Sequence, residues 1–226
     1  MQEDKEDRKQ LRDRPIRLAF IKDNLDFFKG ENKEFANEFG INSTNVVDLA
    51  SFDFNTNIFY GFEIKSEVDN LDRLYKQLTA YITFFHIVYV VAHEKHNEKV
   101  QALIDKNKHL QNVGIILCDN ELNFKEIKRA RKNKPIFSMF IKNLDLEEIK
   151  MLCEDKGVES QEGNKNKLIS IVKRYTTMEE LYDFIHHKVL KYKTKHCPKC
   201  GSNLYYNKKL NGYTDSYCYE CGTLIS

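Results

Sequence analysis

The chain has 226 residues, enough for one full-sized domain with one or two small modules. Its 36 Lys and Arg nearly balance 34 Asp and Glu, so the net charge of +2 singles out no partner and only the distribution of charge is informative. The apolar runs "IVYVVA" and "VGIILC" are too short to cross a bilayer, and the charged opening "MQEDKEDRKQ" lacks the apolar centre of a secretory signal. These features exclude the membrane and exported classes and predict a cytoplasmic protein with reduced thiols.

In chain order, residues 11–40 read as helical, broken near Gly30. Two strand-like runs follow, "NVVDLASF" and "NIFYGFEIKS", separated by the turn-rich "DFNTN". A helix is expected from about Asp69 to Phe85, with Leu74, Leu78, Ile82 and Phe85 on one stripe. "HIVYVVA" and "VGIILCD" read as buried strands joined by the helical "EKHNEKVQALIDKN". Strands alternating with helices imply an α/β fold, a mixed sheet with crossover helices. The basic "FKEIKRARKNKP" fits strand or helix, and from about Ile141 the chain turns helical until the cysteine-bearing end. The organisation expected is a core over 1–135, a helical extension over 136–193 and a small module over 194–226.

Within the second strand run, Glu63 and Lys65 share one face while Phe62 and Ile64 take the other. The triplet alone is common here, recurring at Glu126-Ile-Lys128, Glu148-Ile-Lys150 and Glu154-Asp-Lys156. Its context is distinctive. A hairpin centred between Asn55 and Thr56 sets Asp48 opposite Glu63, with Cβ atoms roughly 4.5–5.5 Å apart. Two carboxylates at that spacing repel unless a cation lies between them, and Mg²⁺ suits one or two carboxylates plus waters and phosphate oxygens. Lys65 would then orient, or help deprotonate, an attacking water. Gln77 and Tyr81 lie four apart on the next helix, and Arg73 continues that line towards the same edge. A solvated strand face beside an ordinary amphipathic helix is the plainer alternative.

Asp48, Glu63-Ile64-Lys65 and Gln77-x-x-x-Tyr81, with Glu38 upstream, resemble the PD-(D/E)XK nuclease superfamily. "GFEIKSEVDNLDRLYKQLTAY" is especially similar to a bacterial and phage branch, and the Gln and Tyr to its RecB-like subset. The resemblance covers roughly residues 11–190. It implies a restriction-endonuclease-like sheet, with Asp48, Glu63 and the Ile64 carbonyl as Mg²⁺ (or Mn²⁺) ligands and Lys65 assisting the nucleophilic water. It also implies supporting roles for Gln77, Tyr81 and an acidic residue on the first helix, for which Glu38 fits by its distance from Asp48. No Pro precedes Asp48, where the name-giving motif has one.

"CPKC" and "CYEC" place Cys197, Cys200, Cys218 and Cys221 in two knuckles at the spacing of a four-cysteine zinc ribbon. A closed four-sulfur shell makes the Zn²⁺ structural; redox dithiols are the alternative. Cys118 and Cys153 sit in apolar contexts and read as core residues.

Between Phe184 and Thr214 the chain has no acidic residue but carries seven lysines, among them Lys208 and Lys209, interleaved with Tyr192, Tyr205 and Tyr206. Such a segment fits a nucleic-acid backbone with stacked bases, or simply a solvated face over ribbon tyrosines. A second basic group includes Lys128, Arg129 and Arg131. The stretch 144–175 resembles a SAP-type helix-loop-helix module, which would aim Lys165 and Lys167 at phosphates; a purely structural extension is the alternative. His93 and His96 lack an acidic partner at metal-site spacing and read as surface residues starting a helix, and His186 and His187 as solvent-facing.

The expectation is a Mg²⁺-dependent deoxyribonuclease with DNA as partner. A non-catalytic nucleic-acid-binding protein and an RNA-processing hydrolase are the competing classes. Abundant Asn and Lys suggest a bacterial or phage genome.

Overall fold

The structure, a computed structural model, describes residues 11–41, 45–142, 144, 146–157, 165–192, 205–210, 213–218 and 224–225. It opens with helices α1 (Asp13–Asp23) and α2 (Leu25–Phe28). Pro15 falls in the first turn of α1, where a missing N–H costs nothing, and Ile16, Phe20 and Ile21 form its buried stripe. Strands β1 (Lys33–Gly40), β2 (Val46–Asp53) and β3 (Ile58–Lys65) run as an antiparallel meander. Helix α3 (Leu74–Tyr81) crosses to β4 (Ile87–His93), and α4 (Asn97–Lys106) crosses to β5 (Gly114–Cys118), both in parallel with β3. β6 (Phe124–Lys128) closes the sheet antiparallel to β5. Among the described residues the order is β1-β2-β3-β4-β5-β6, an α/β architecture with a mixed sheet.

Each face of this sheet carries its own apolar cluster. Phe62, Ile64, Tyr89, Val91 and Ile116 pack under α1 and α2. Phe59, Val88, Val90 and Ile115 pack under α3 and α4, on the face that also receives the C-terminal helices. Those helices are α5 (Phe137–Lys142), α6 (Leu146–Asp155), α7 (Lys165–Tyr175) and α8 (Met178–Tyr192). Phe140 stacks on Phe84 at 4.4 Å, and Tyr182 meets Phe59 edge-on at 5.1 Å. Cys118 and Cys153 are buried and free, as expected of core residues. Strands β7 (Tyr205–Leu210), β8 (Tyr213–Cys218) and β9 (Leu224–Ile225) form a separate antiparallel sheet. Among the described residues no helix is long and apolar enough to cross a membrane.

The expected helix over 31–40 is strand β1 instead, so Glu38 lies on a strand and not on the first helix. The four-residue spacing of Phe35 and Phe39 imitates a helical stripe. In a regular strand these two side chains would share a face. Here Phe35 joins the α1 side and Phe39 the α3 side, because Glu38 between them takes φ 49° and breaks the alternation. Its neighbour strand breaks phase as well: Val47 belongs to one cluster and Leu49 to the other. The residue between them is Asp48.

Candidate active site

The irregularity in β1 and β2 defines the site. In the β1–β2 register, Asn37 faces Leu49 and Phe39 faces Val47, which leaves Glu38 across from Asp48. In the β2–β3 register, pairing stops at Leu49 and Phe62, and Asp48 and Glu63 are the next facing positions. Asp48 therefore sits on the middle strand with an acid on either side. Its Oδ2 accepts the Ile64 N–H at 2.7 Å, so a side chain stands where ladder pairing has ended. Glu34, by contrast, faces Phe52, four residues further along β2.

Glu63 is almost wholly enclosed, at 1 % exposure. Burying a carboxylate is costly unless every oxygen has a partner, and here both do. Oε1 receives the Lys65 ammonium at 2.6 Å and the Gln77 amide at 2.5 Å, while Oε2 receives the Tyr81 hydroxyl at 2.6 Å. Lys65 Nζ also lies 3.3 Å from Gln77 Oε1. The partners arrive through two periodicities: Lys65 is two residues on in the same strand, and Gln77 and Tyr81 are one turn apart on α3. Leu74 and Leu78 bury the adjoining stripe and so fix that helix's rotation. The Tyr81 oxygen is also 2.7 Å from the Val46 carbonyl. Burial, followed by the Glu63 charge, pushes the phenol's pKa up, so Tyr81 stays a neutral donor.

Asp48 holds its cation less closely than Glu63 does: Arg17 Nη2 stands 3.5 Å from Asp48 Oδ1, against 2.6 Å between Lys65 and Glu63. Burial, and next the charge of Glu63, raise its pKa to about 7, against the smaller lowering effects of Arg17 and the Ile64 N–H. Arg17 had no place in the sequence reading. It projects from α1 at 7 % exposure, bound to Asp13 Oδ2 at 2.6 Å, with Asp48 Oδ1 at 3.5 Å and Glu38 Oε1 at 3.8 Å. The signal for it was a charge on the buried stripe of α1, four residues before Ile21.

The structure thus brings Glu38, Asp48, Glu63, Ile64, Lys65, Gln77 and Tyr81 together. Among the described residues no group of three or more His, Cys, Asp or Glu is placed to hold a metal ion. The chemistry of the donors nonetheless fits a hard divalent cation: two facing carboxylates, one kept from ionising by burial and by the charge of the other.

Other predicted residues lie elsewhere. Arg73 is exposed one turn before Gln77. Lys128 continues the row Glu63–Val90–Ile115 across the sheet, three strands from Glu63 and therefore roughly 14 Å away. Its ammonium is turned onto the Gln111 and Val113 carbonyls, and desolvation lowers its pKa. Arg131 reaches the Gln111 carbonyl at 3.4 Å, and Arg129 is exposed. Lys165 and Lys167 are exposed at the start of α7. Lys208 and Lys209 lie in β7 opposite Asp215 and Thr214. Cys197, Cys200 and Cys221 lie outside the described residues, as do most of the loop between α6 and α7 and the His187 side chain; Cys218 ends β8.

The histidines require correction. His93 and His96 are buried, at 3 % and 4 % exposure, not surface residues. His93 Nε2 lies 2.9 Å from Asn120 Oδ1, and His96 Nε2 lies 2.9 Å from the Ser66 carbonyl, pinning the turn after Lys65. His186 stacks on Phe54 at 3.8 Å and does not face solvent freely.

Fold and site together define an α/β protein whose mixed sheet carries a buried carboxylate–lysine cluster at a break between strands. The family model described as bacteriophage P4 protein cII matches residues 12–202, and the chain belongs to that family. No curated protein matches it. A solved structure, the SPO1766 protein of unknown function from Silicibacter pomeroyi, is similar at 12 % identity over 57 % of this chain and 84 % of that one, with a TM-score of 0.35.

Proposed function

We propose that this chain is a divalent-metal-dependent nuclease hydrolysing phosphodiester bonds in DNA on a PD-(D/E)XK-type core. The observation carrying this reading is the Glu63 carboxylate held by Lys65, Gln77 and Tyr81 beside the under-neutralised Asp48. Asp48, Glu63 and the Ile64 carbonyl would hold Mg²⁺ or Mn²⁺. When bound, the ion would polarise the phosphate and stabilise the leaving oxygen. Lys65 donates to the attacking water and steers it. Gln77 and Tyr81 keep Glu63 in one orientation, and Glu38 adds negative charge across from Asp48. Cys197, Cys200, Cys218 and Cys221 would hold a structural Zn²⁺, which predicts one tightly bound zinc per chain by elemental analysis. Arg73 and the lysines of α7 and β7 would contact DNA.

The test incubates purified protein with linear, circular and single-stranded DNA and with RNA, in Mg²⁺, beside a chelator control and Lys65→Ala. Metal-dependent cutting that Lys65→Ala abolishes, with DNA affinity retained, is the expected result. Normal cutting by Lys65→Ala overturns the assignment, and a preference for RNA identifies an RNA hydrolase. One observation favours a non-catalytic DNA-binding protein: Arg17 already provides a cation beside Asp48. Salt-sensitive binding without cleavage under any of these conditions selects that reading.

A further inference from the structure

We propose that Arg17 is a positioning residue of this site, a resident cation that holds Asp48 and Glu38 from the α1 face while Asp13 fixes the guanidinium. The proposal deepens the metal-site reading and rests on it for its metal-binding arm only.

Arginine is rarely buried without a purpose for its charge. Arg17 is 7 % exposed, and its strongest contact is local: Nη2 and Nε meet the two Asp13 oxygens at 2.6 and 3.4 Å, one helical turn back. That pair alone would serve as well on the helix surface. The guanidinium instead points into the sheet. Nη1 lies 3.5 Å from the Asp48 carbonyl and 3.8 Å from Glu38 Oε1, and Nη2 lies 3.5 Å from Asp48 Oδ1. It therefore spans both strands at the position where each loses its regular alternation. Planarity suits it to this task, because five donors in one rigid fork can address three carboxylates from fixed directions.

The consequence falls on Asp48. Its Oδ2 is committed to the Ile64 N–H and its Oδ1 faces Arg17, so the two contacts together fix the carboxylate plane. The neighbouring carboxylates Asp13, Glu38 and Glu63 would otherwise repel it. Side chains that orient a metal ligand change affinity by roughly 10–100-fold when removed.

Two readouts test the proposal on the full chain. In metal-free protein, Arg17→Met should speed hydrogen exchange of the Ile64 amide at least about 10-fold relative to Val90 and Val91, and Asp48→Ala, which removes the acceptor, serves as the control that must move the same amide. Isothermal titration with Mn²⁺ should show affinity lowered at least about 10-fold in Arg17→Met and partly restored in Arg17→Lys. Asp13→Asn, which keeps the guanidinium but weakens its hold, should fall between wild type and Arg17→Met and provides the test should Arg17→Met fail to fold. An unchanged Ile64 amide in folded Arg17→Met or Asp13→Asn overturns the proposal. Wild-type Mn²⁺ affinity in those variants also overturns it. If wild type binds no Mn²⁺ the metal-site reading fails, and the Ile64 amide alone decides the role of Arg17.

Discussion

Asp48 is drawn in two directions, by the Ile64 N–H and Arg17 toward ionisation and by burial and Glu63 away from it. Burial is the largest influence and pushes the carboxyl's pKa up to about 7. A divalent cation held as proposed would bind the ionised form, so binding below this value would expel a proton. Titrations in buffers of differing ionisation enthalpy should show close to one proton released per ion at about pH 6 and little at about pH 8. Carbon-13 detection of the carboxyl in metal-free protein should place its midpoint near 7; a midpoint near 4 would show that Arg17 neutralises Asp48 outright. Tyr81 offers a second test at this scale. Its one proton serves Glu63 and the Val46 carbonyl, so Tyr81→Phe leaves a buried acceptor short of a donor. The expected cost is about 1–3 kcal/mol in urea unfolding, and a neutral outcome would mean that water replaces the hydroxyl.

At the scale of elements, the site exists because two strands change phase together. Glu38 holds a left-handed backbone conformation that L-residues adopt at a cost of about 1–2 kcal/mol. In an ordinary strand alanine is more stable than glycine. Here the order should reverse: Glu38→Gly should exceed Glu38→Ala in unfolding free energy by about 1 kcal/mol, although both lose the carboxylate. The usual order in urea unfolding would show that the conformation carries no strain. The same break explains what could be read beforehand. The β3-α3-β4-α4-β5 run was legible because α3 and α4 carry apolar stripes at helical spacing and β4 and β5 are short continuous apolar runs, although α3 spans only Leu74–Tyr81 of the 69–85 expected. The hairpin centre at Asn55–Thr56 correctly set Asp48 beside Glu63. β1 was not legible, since the phase change at Glu38 turned a two-residue rhythm into Phe35 and Phe39 at helical spacing. Arg17 escaped because sequence separates it from Asp48 by a whole strand. His93 and His96 escaped because their burial depends on the Ser66 turn and on Asn120 meeting them in space.

Across the whole molecule, two buried titrations oppose each other. His86 joins the start of β4 to β3 and α8: Nδ1 accepts the Phe59 N–H at 3.2 Å, and Nε2 lies 3.1 Å from the Tyr182 hydroxyl. Burial, helped by Lys132, lowers its pKa from 6.5 to about 4. The unfolded chain therefore binds the proton more readily, and stability falls as pH drops from 6.5 towards 4, by about 3 kcal/mol in all. Asp48 has the reverse sign. Its folded value of about 7 lies above the ordinary 3.8, so stability rises as pH drops through that window, by up to about 4 kcal/mol before allowing for its 26 % side-chain exposure. The wild-type contributions nearly cancel. Asp48→Asn should remove one and expose the other, giving a protein that loses about 3 kcal/mol between pH 6.5 and 4 in urea unfolding without divalent metal. His86→Gln can still accept from Phe59 and donate to Tyr182, and should do the opposite, gaining stability over the same range. Carboxylates remote from the site titrate alike in all three proteins, so the differences between their curves isolate this pair together with Glu63, whose charge acts on Asp48. Parallel curves would mean that neither group is held away from its ordinary pKa, and the coupling of the site's strands to the C-terminal helices through His86 would lose its electrostatic basis.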